Sequence, residues 1–350
     1  MMKVIEARGN HRSMGQAIGE GLREEIRAHV AGFVLQTPAA LAGRTEAFRR
    51  VLSAYLPKIL EQFEGMAAGA DLPLERLLAL NLPVGVGASM FAPQGCSNLV
   101  FADGPDGPLW GKNNDGLYPP DAVVAADAKG RRPWAVLKLY PEDGIPALCV
   151  TFCGWLSGGD MLNAEGLAVG HSSVGSRFWQ SPLHVPALQW LYWIVLRSKD
   201  CSAFQKNVTM LPLQGKGFAM VAVDRQGRMC APELACPLVQ LRQPPAGAHA
   251  LHCVNHYQLA ELKGMDRRSP EGLAHSQARQ ALLSRQGQEG ERSLESLKRL
   301  LRQHGEPALC RHGGVDQAWT EYSLIGVTAS ATLWVAAGTP CTAEYVPVTV

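Results

Sequence analysis

Gly95-Cys96-Ser97-Asn98-Leu99-Val100-Phe101 and Leu109-Trp110-Gly111-Lys112-Asn113-Asn114-Asp115 are two apolar-rich runs joined by Ala102-Asp103-Gly104-Pro105-Asp106-Gly107-Pro108. Runs of this kind around a Gly/Pro/Asp cluster read as a β-hairpin. A turn centred on Pro105-Asp106 sets Cys96 opposite Asp115. Facing residues have Cβ atoms about 5 Å apart, so a thiol and a carboxylate would share one face at the open end of the hairpin. A slip of one residue would separate them.

The glycine before the cysteine matters as much as the carboxylate after it. Glycine has no Cβ, tolerates strained backbone and lets a nucleophile reach its own carbonyl. A cysteine that attacks the preceding peptide carbonyl forms a thioester, and water then cuts the chain. The freed α-amine, with a pKa of about 7.7 to 8.0, can act as general base for its own thiol. The plain alternative is a buried structural cysteine after a turn, because free cysteine is among the most buried residue types.

Other segments point the same way. Gly9-Asn10-His11-Arg12-Ser13-Met14-Gly15-Gln16-Ala17-Ile18-Gly19, Leu162-Asn163-Ala164-Glu165-Gly166-Leu167-Ala168, Val254-Asn255-His256, Leu309-Cys310-Arg311-His312 and Leu333-Trp334-Val335-Ala336-Ala337-Gly338-Thr339-Pro340-Cys341 follow in order along the chain. With Gly95-Cys96-Ser97 and Gly111-Lys112-Asn113-Asn114-Asp115, they make the sequence resemble, nearly end to end, the penicillin acyltransferase family. Its members are autoproteolytic cysteine N-terminal-nucleophile hydrolases that include acyl-coenzyme A:aminopenicillanate acyltransferases. The resemblance implies Cys96 as nucleophile and new N-terminus and Gly95-Cys96 as the cleaved bond. It makes Asp115 the partner of the freed amine, Asn255 the donor to the oxyanion and Arg311 the active-site arginine. Asn163 resembles a second asparagine near the oxyanion; its spacing to Gly166 also suits a purely structural hairpin. The chemistry needs these types: a preorganised donor contributes roughly 3 to 4 kcal/mol at a developing oxyanion, and arginine keeps its charge and grips carboxylates bidentately. The sequence departs from the family beside the aspartate, where Asn114 and Gly116 stand in place of an aromatic residue. That bears on the acyl-pocket wall. His256 and His312 adjoin motif residues but have no catalytic part in a scheme whose base is an amine.

Composition bounds the alternatives. In 350 residues, 47% are hydrophobic and 18% charged, enough for a large core, and the net charge of +2 comes without a sustained basic run, so no nucleic-acid partner is expected. The longest apolar helix candidate, Val185 to Leu196, is too short to span a bilayer, so no membrane partner is expected. Met1 to Arg8 lacks the apolar core of a secretory signal, which makes cytoplasm the expected location. Nine cysteines, an odd number, fit reduced thiols better than a disulfide framework. Cys149 with Cys153, Cys230 with Cys236, and His252 with Cys253 and His256 lack zinc-site spacing, so neither metal nor cofactor is expected.

Helical periodicity runs from 11 to 35, with Met14, Ile18, Leu22, Ile26 and Val30 on one face, then from Glu46 to Met66 and Leu74 to Leu80. A Pro/Gly-rich stretch from Pro83 to Gly95 follows. The segment before Cys96 thus reads as helical, without strands of its own. After Cys96, strands are expected at Trp134 to Leu139, Ala147 to Phe152, Leu167 to Val169, Phe218 to Val223, around Met229, and from Tyr322 to Ala336. Helices are expected at Val185 to Arg197, Gly272 to Arg285 and Ser293 to Gln303, the last with Ser293 as its capping residue. Gln286 to Glu291 reads as a surface loop. Hairpins mixed with helix pairs favour α+β layers. The resemblance makes these a four-layer α-β-β-α sandwich, a single domain over 1–350 that cuts itself into 1–95 and 96–350, the two fragments staying associated.

The expected activity is hydrolysis of a small linear amide through a thioester acyl-enzyme. Acyl transfer from a thioester such as an acyl-coenzyme A shares the first half-reaction. Two rivals stand beside it: an uncleaved thiol hydrolase using Cys96 with His256 or His171, and a non-catalytic binding protein on the same fold.

Overall fold

The computed structural model describes residues 2–33, 38–82, 95–117, 134–313 and 318–350, so Pro83 to Gln94 of the Pro/Gly-rich stretch lies outside the described residues. The strands show how the layers arise. In Phe218–Val223, Phe218, Met220 and Ala222 join one apolar cluster, while Ala219, Val221 and Val223 join another. In Ser97–Phe101, Val100 joins that second cluster and Leu99 and Phe101 join a third. Successive side chains of a strand point to opposite faces, so a strand that is apolar throughout must be covered on both sides.

Two sheets meet this demand. An eight-stranded sheet runs in the order Lys3–Gly9, Trp134–Pro141, Ala147–Phe152, Met161–Asn163, Ala168–Ser173, Phe218–Val223, Met229–Leu234, Val239–Arg242. A six-stranded sheet runs Ala250–Cys253, Ser97–Phe101, Leu109–Leu117, Ala318–Val327, Thr332–Ala336, Tyr345–Thr349. The clusters fill the gaps between layers. One lies between the larger sheet and helices His11–Gly21, Arg23–Phe33, Pro57–Gly69, Leu74–Leu80, Ala187–Val195 and Cys201–Val208. The second lies between the sheets, around Trp110, Val136, Val221 and Leu324. The third joins the smaller sheet to helices Pro270–Glu289 and Leu294–Leu301. The order is α-β-β-α, the α+β sandwich expected.

Several local expectations need correction. The segment before Cys96 does contain a strand: Lys3–Gly9 pairs in parallel with Trp134–Pro141, from Lys3 opposite Ala135 to Gly9 opposite Pro141. The helix expected from Glu46 to Met66 is two, Pro38–Tyr55 and Pro57–Gly69, because Pro57 has no N–H to continue the first and is well placed to begin the second. The first periodic run divides at Leu22 into His11–Gly21 and Arg23–Phe33, yet its five apolar residues stay in one cluster. The stretch Gln286 to Glu291 is not a loop throughout, since the preceding helix runs to Glu289 and stops at Gly290. Ser293 does cap its helix, in a reciprocal box with Ser296.

The helices His11–Gly21 and Pro57–Gly69 cross at backbone distance. Cβ atoms added at Gly15 and Gly19 would overlap the carbonyls of Gln62 and Met66, and Cβ atoms at Gly65 and Gly69 those of Arg12 and Gln16. Four glycines, spaced by one turn on each helix, therefore set the separation. Gly65→Ala forces the pair apart and should destabilise the fold by about 1–3 kcal/mol, the usual range for overpacking. Thermal denaturation checks this; an unchanged midpoint would show that the crossing adjusts without strain.

Candidate active site

The hairpin forms, one residue out of the expected register. Ser97 pairs with Asn113 and Phe101 with Leu109, which carries Cys96 to Asn114 rather than to Asp115. The cause is the connection, residues 102–108, an odd-numbered turn in which Gly104 and Gly107 take φ of 148° and 77° and Gly107 N–H donates to Gly104 O at 3.0 Å. Cys96 Sγ lies 3.7 Å from both Asn114 Oδ1 and the backbone oxygen of Asp115. The Asp115 carboxylate accepts from the Thr320 hydroxyl at 2.7 Å, and its other oxygen lies 3.7 Å from Arg311 Nη1.

Asp115 and the nucleophile strand still meet, at Gly95. A Cβ there would overlap the Arg311 guanidinium and lie 2.9 Å from Asp115 Oδ2. This glycine is required by close approach. Cys96, Asp115 and Arg311 are all buried, so the carboxylate and the guanidinium lie beside the Gly95-Cys96 bond with little screening by solvent.

The group that holds this bond is one that sequence reasoning missed. Arg279, fully buried on the helix Pro270–Glu289, donates from Nη1 to Gly95 O and to Cys96 O, both at 2.7 Å, and to Ser97 Oγ at 2.9 Å. Its Nη2 donates to Asn255 Oδ1 at 3.0 Å. Since arginine can only donate, the Asn255 amide is oriented by this contact, and its Nδ2 donates to Ser173 O at 2.8 Å. Asn255 is thus at the site, but the donor on the Gly95 carbonyl is Arg279, with Asn255 behind it. Burial, and then the nearby Arg311, lower the Arg279 pKa to about 10, with Asp115 opposing, so it remains a cation at neutral pH. The sequence signal was faint: Arg279 stands on the helix face that buries Ser276, Leu282 and Leu283.

Lys112 is a second missed residue. It is fully buried, with Nζ donating to both Asp160 oxygens at 2.7 and 2.6 Å and to His171 O at 2.8 Å. Tyr322 donates to the same carboxylate at 2.7 Å. Burial alone would raise the Asp160 pKa, but Lys112 and His171 outweigh it and hold the carboxyl well below the usual range. Burial pushes the Cys96 thiol up; Lys112 is the largest influence pulling it back, while Asp115 adds to the rise. Its signal was a lysine sharing the strand face of Trp110 in an apolar hairpin.

Asn163 is not brought to this site. Its Nδ2 donates to Val195 O at 2.9 Å and Ser198 O at 2.8 Å, and its Oδ1 accepts from Leu167 N–H at 3.0 Å. The first two anchor the turn after Met161–Asn163 to the end of helix Ala187–Val195, and the third closes the turn itself, which is the structural alternative raised by the sequence. Neither histidine of the rival thiol-hydrolase reading is hydrogen-bonded to the thiol. His171 Nδ1 faces Asp160 at 3.1 Å and Lys112 at 3.3 Å, and its pKa is lowered by burial and then by Lys112. His256 is bound to Ser276 and Gln280, at 2.8 and 2.9 Å.

No family model matches the chain. No curated protein matches it either. Among solved structures it is similar to an N-acylethanolamine-hydrolyzing acid amidase ortholog from Caenorhabditis elegans, with TM-score 0.45 and 9% identity over 67% of this chain and 93% of that one. It is also similar to a mutant of the conjugated bile acid hydrolase of Clostridium perfringens, with TM-score 0.44 and 8% identity over 73% and 97% of the two chains. A third likeness is to penicillin V acylase from Agrobacterium tumefaciens, with TM-score 0.44 and 11% identity over 73% and 86%. These likenesses concern overall shape, and the roles of Cys96, Arg279 and their neighbours rest on this chain's own geometry.

Proposed function

We propose that the chain is a cysteine N-terminal-nucleophile amidohydrolase that creates its own nucleophile by cutting the Gly95-Cys96 bond. One observation carries the reading: the carbonyl of the residue before the cysteine is gripped by a buried arginine at 2.7 Å. A structural cysteine has no need of a cation on the preceding carbonyl, whereas a tetrahedral intermediate at Gly95 develops its negative charge on that oxygen.

The steps balance as follows. Cys96 Sγ attacks the Gly95 carbonyl carbon, and its proton passes to the Cys96 nitrogen as the C–N bond breaks. Gly95 is left as a thioester on the sulfur. Water adds to this thioester, restoring the thiol and releasing Gly95 as a carboxylate. In turnover the freed amine takes the thiol proton, the sulfur attacks the amide carbonyl of a substrate, and the proton leaves with the amine product. Water then hydrolyses the acyl-enzyme. Asp115, beside Gly95, accepts from the ammonium form of the new terminus. Arg311, beside Asp115 and Gly95, is a cation at the position that Gly95 leaves and would hold a polar group of the substrate there. The fragments stay together because Lys3–Gly9 is a strand of the larger sheet. The substrate class is a small linear amide.

A library of N-acyl amides, read by amine release and paired with mass analysis after treatment with a thiol-directed electrophile, tests the activity. The reading expects turnover of at least one acyl class, lost in step with alkylation of Cys96. Turnover that survives full alkylation of Cys96 would sink it.

A further inference from the structure

The sequence led us to expect no metal, and the cysteine and histidine pairs it singled out do not include the set that the fold gathers. His304, Cys310, His312 and Cys341 each bring one ligand atom into a single cluster, all four atoms within 4.8 Å of one another. His312 Nε2 lies 3.2 Å from His304 Nε2, 3.5 Å from Cys310 Sγ and 3.2 Å from Cys341 Sγ. Hydrogen bonding does not account for this arrangement. A single imidazole nitrogen carries one proton or one lone pair, so it satisfies one of these neighbours and leaves the others crowded against it.

A cation accounts for all of them. Tetrahedral zinc, with bonds of about 2.3 Å to sulfur and about 2.0–2.1 Å to nitrogen, separates its ligands by about 3.4 Å for two nitrogens and about 3.6 Å for nitrogen and sulfur. The three separations from His312 Nε2 lie within about 0.4 Å of these values. We propose that His304, Cys310, His312 and Cys341 form a Cys₂His₂ site for one structural zinc ion.

Four protein ligands close the coordination sphere, which leaves no position for substrate or water and makes the ion structural rather than catalytic. His304 and His312 are exposed and Cys341 half-buried, so the ion has a route in from solvent. Binding releases the two thiol protons, as thiolate ligation requires. The ion ties the segment after helix Leu294–Leu301 to the turn at Cys341. It also brackets Arg311, whose neighbours on either side, Cys310 and His312, are both ligands. The Arg311 backbone is already clamped to Thr320, by Arg311 N–H to Thr320 Oγ1 at 2.9 Å and Thr320 N–H to Arg311 O at 3.0 Å. Zinc therefore fixes the arginine that reaches Asp115 and Gly95. This last consequence rests on the proposed function; the metal site itself does not.

The test uses the full chain without a polyhistidine tag, produced with zinc in the medium and purified under reducing conditions without chelator. Elemental analysis should give one zinc per chain. Replacement of the zinc by cobalt should give the intense visible bands and thiolate-to-metal charge transfer of a tetrahedral thiolate site. His304→Ala and Cys341→Ser, both at the surface end of the cluster, should each lower bound metal at least tenfold while the circular dichroism of the fold persists. Substoichiometric metal, metal content unchanged in both variants, or a Cys310–Cys341 disulfide recovered in peptide mapping of the reduced-purified protein would each overturn the proposal. Metal content is read independently of amide turnover, so failure of this site and failure of the proposed activity are distinguishable.

Discussion

Cys96→Ala remains a single uncut chain and loses amide turnover by about 10⁴-fold or more, the scale on which loss of a covalent nucleophile is felt. The substitution removes one sulfur and little volume, at a position that is buried and packed beside Asn114 and Asp115. The fold should therefore survive, and electrophoresis of the purified variant reads the outcome directly. Cys96→Ser refines the result. An alcohol is a poorer nucleophile at neutral pH, so this variant should mature slowly if at all, and its uncut fraction should fall with time. Complete maturation of the alanine variant would mean that another agent cuts the chain, and the thiol's role in processing would have to be abandoned.

Arg279→Gln separates the carbonyl grip from the nucleophile. It leaves Cys96, Asp115 and Arg311 in place but removes the cation from Gly95 O. Loss of one preorganised donor to an oxyanion costs about 10²–10³ in rate, so self-cleavage should slow by that factor. Arg279→Lys retains the charge but cannot span Gly95 O, Cys96 O, Ser97 Oγ and Asn255 Oδ1 together, and it should recover only part of the rate. The time course of fragment appearance from freshly refolded protein is the readout. A slow but folded glutamine variant, with partial recovery in the lysine variant, identifies transition-state stabilisation. Equal, unchanged cleavage in all three proteins would reduce Arg279 to a packing residue.

Local signals carried much of the architecture into the sequence. Ala147–Phe152 and Phe218–Val223 have the bounds expected from their apolar-rich runs, and both are covered on two faces. The stripe from Met14 to Val30 is buried as its period requires, even though the helix divides at Leu22. What was hidden is what depends on distant partners. Lys3–Gly9 is an edge strand whose one ladder among the described residues is to residues 134–141, and most of its side chains are exposed, so it has little apolar pattern to show. The hairpin register turned on one residue of a glycine-containing connection, where two turn geometries suit the same composition equally.

The site divides along the same line. Of the residues singled out by short motifs, Cys96, Asp115 and Arg311 come together around the Gly95-Cys96 bond, with Cys96 opposite Asn114 rather than Asp115 and Asn255 set behind Arg279. Arg279 could not be found that way. It stands 183 positions from Cys96 in sequence, within a helix that carries no chemical motif of its own, and only the stacking of that helix on the smaller sheet brings it to the Gly95 carbonyl. Asn163 shows the reverse error. A motif asparagine close to a glycine turn is chemically equivalent in a site or in a tight connection, and only its three hydrogen bonds reveal which it is. The zinc ligands were missed because His304, Cys310 and His312 alone lack the spacing of a zinc motif, and the fourth, Cys341, lies 29 positions beyond His312 and joins them only in the fold.

Intact mass and N-terminal sequencing of the purified, active protein test the central claim most directly. Two fragments, 1–95 and 96–350, with the second beginning Cys96-Ser97-Asn98-Leu99, are the predicted result. A preparation that hydrolyses amides yet contains only uncut chain beginning at methionine would contradict it.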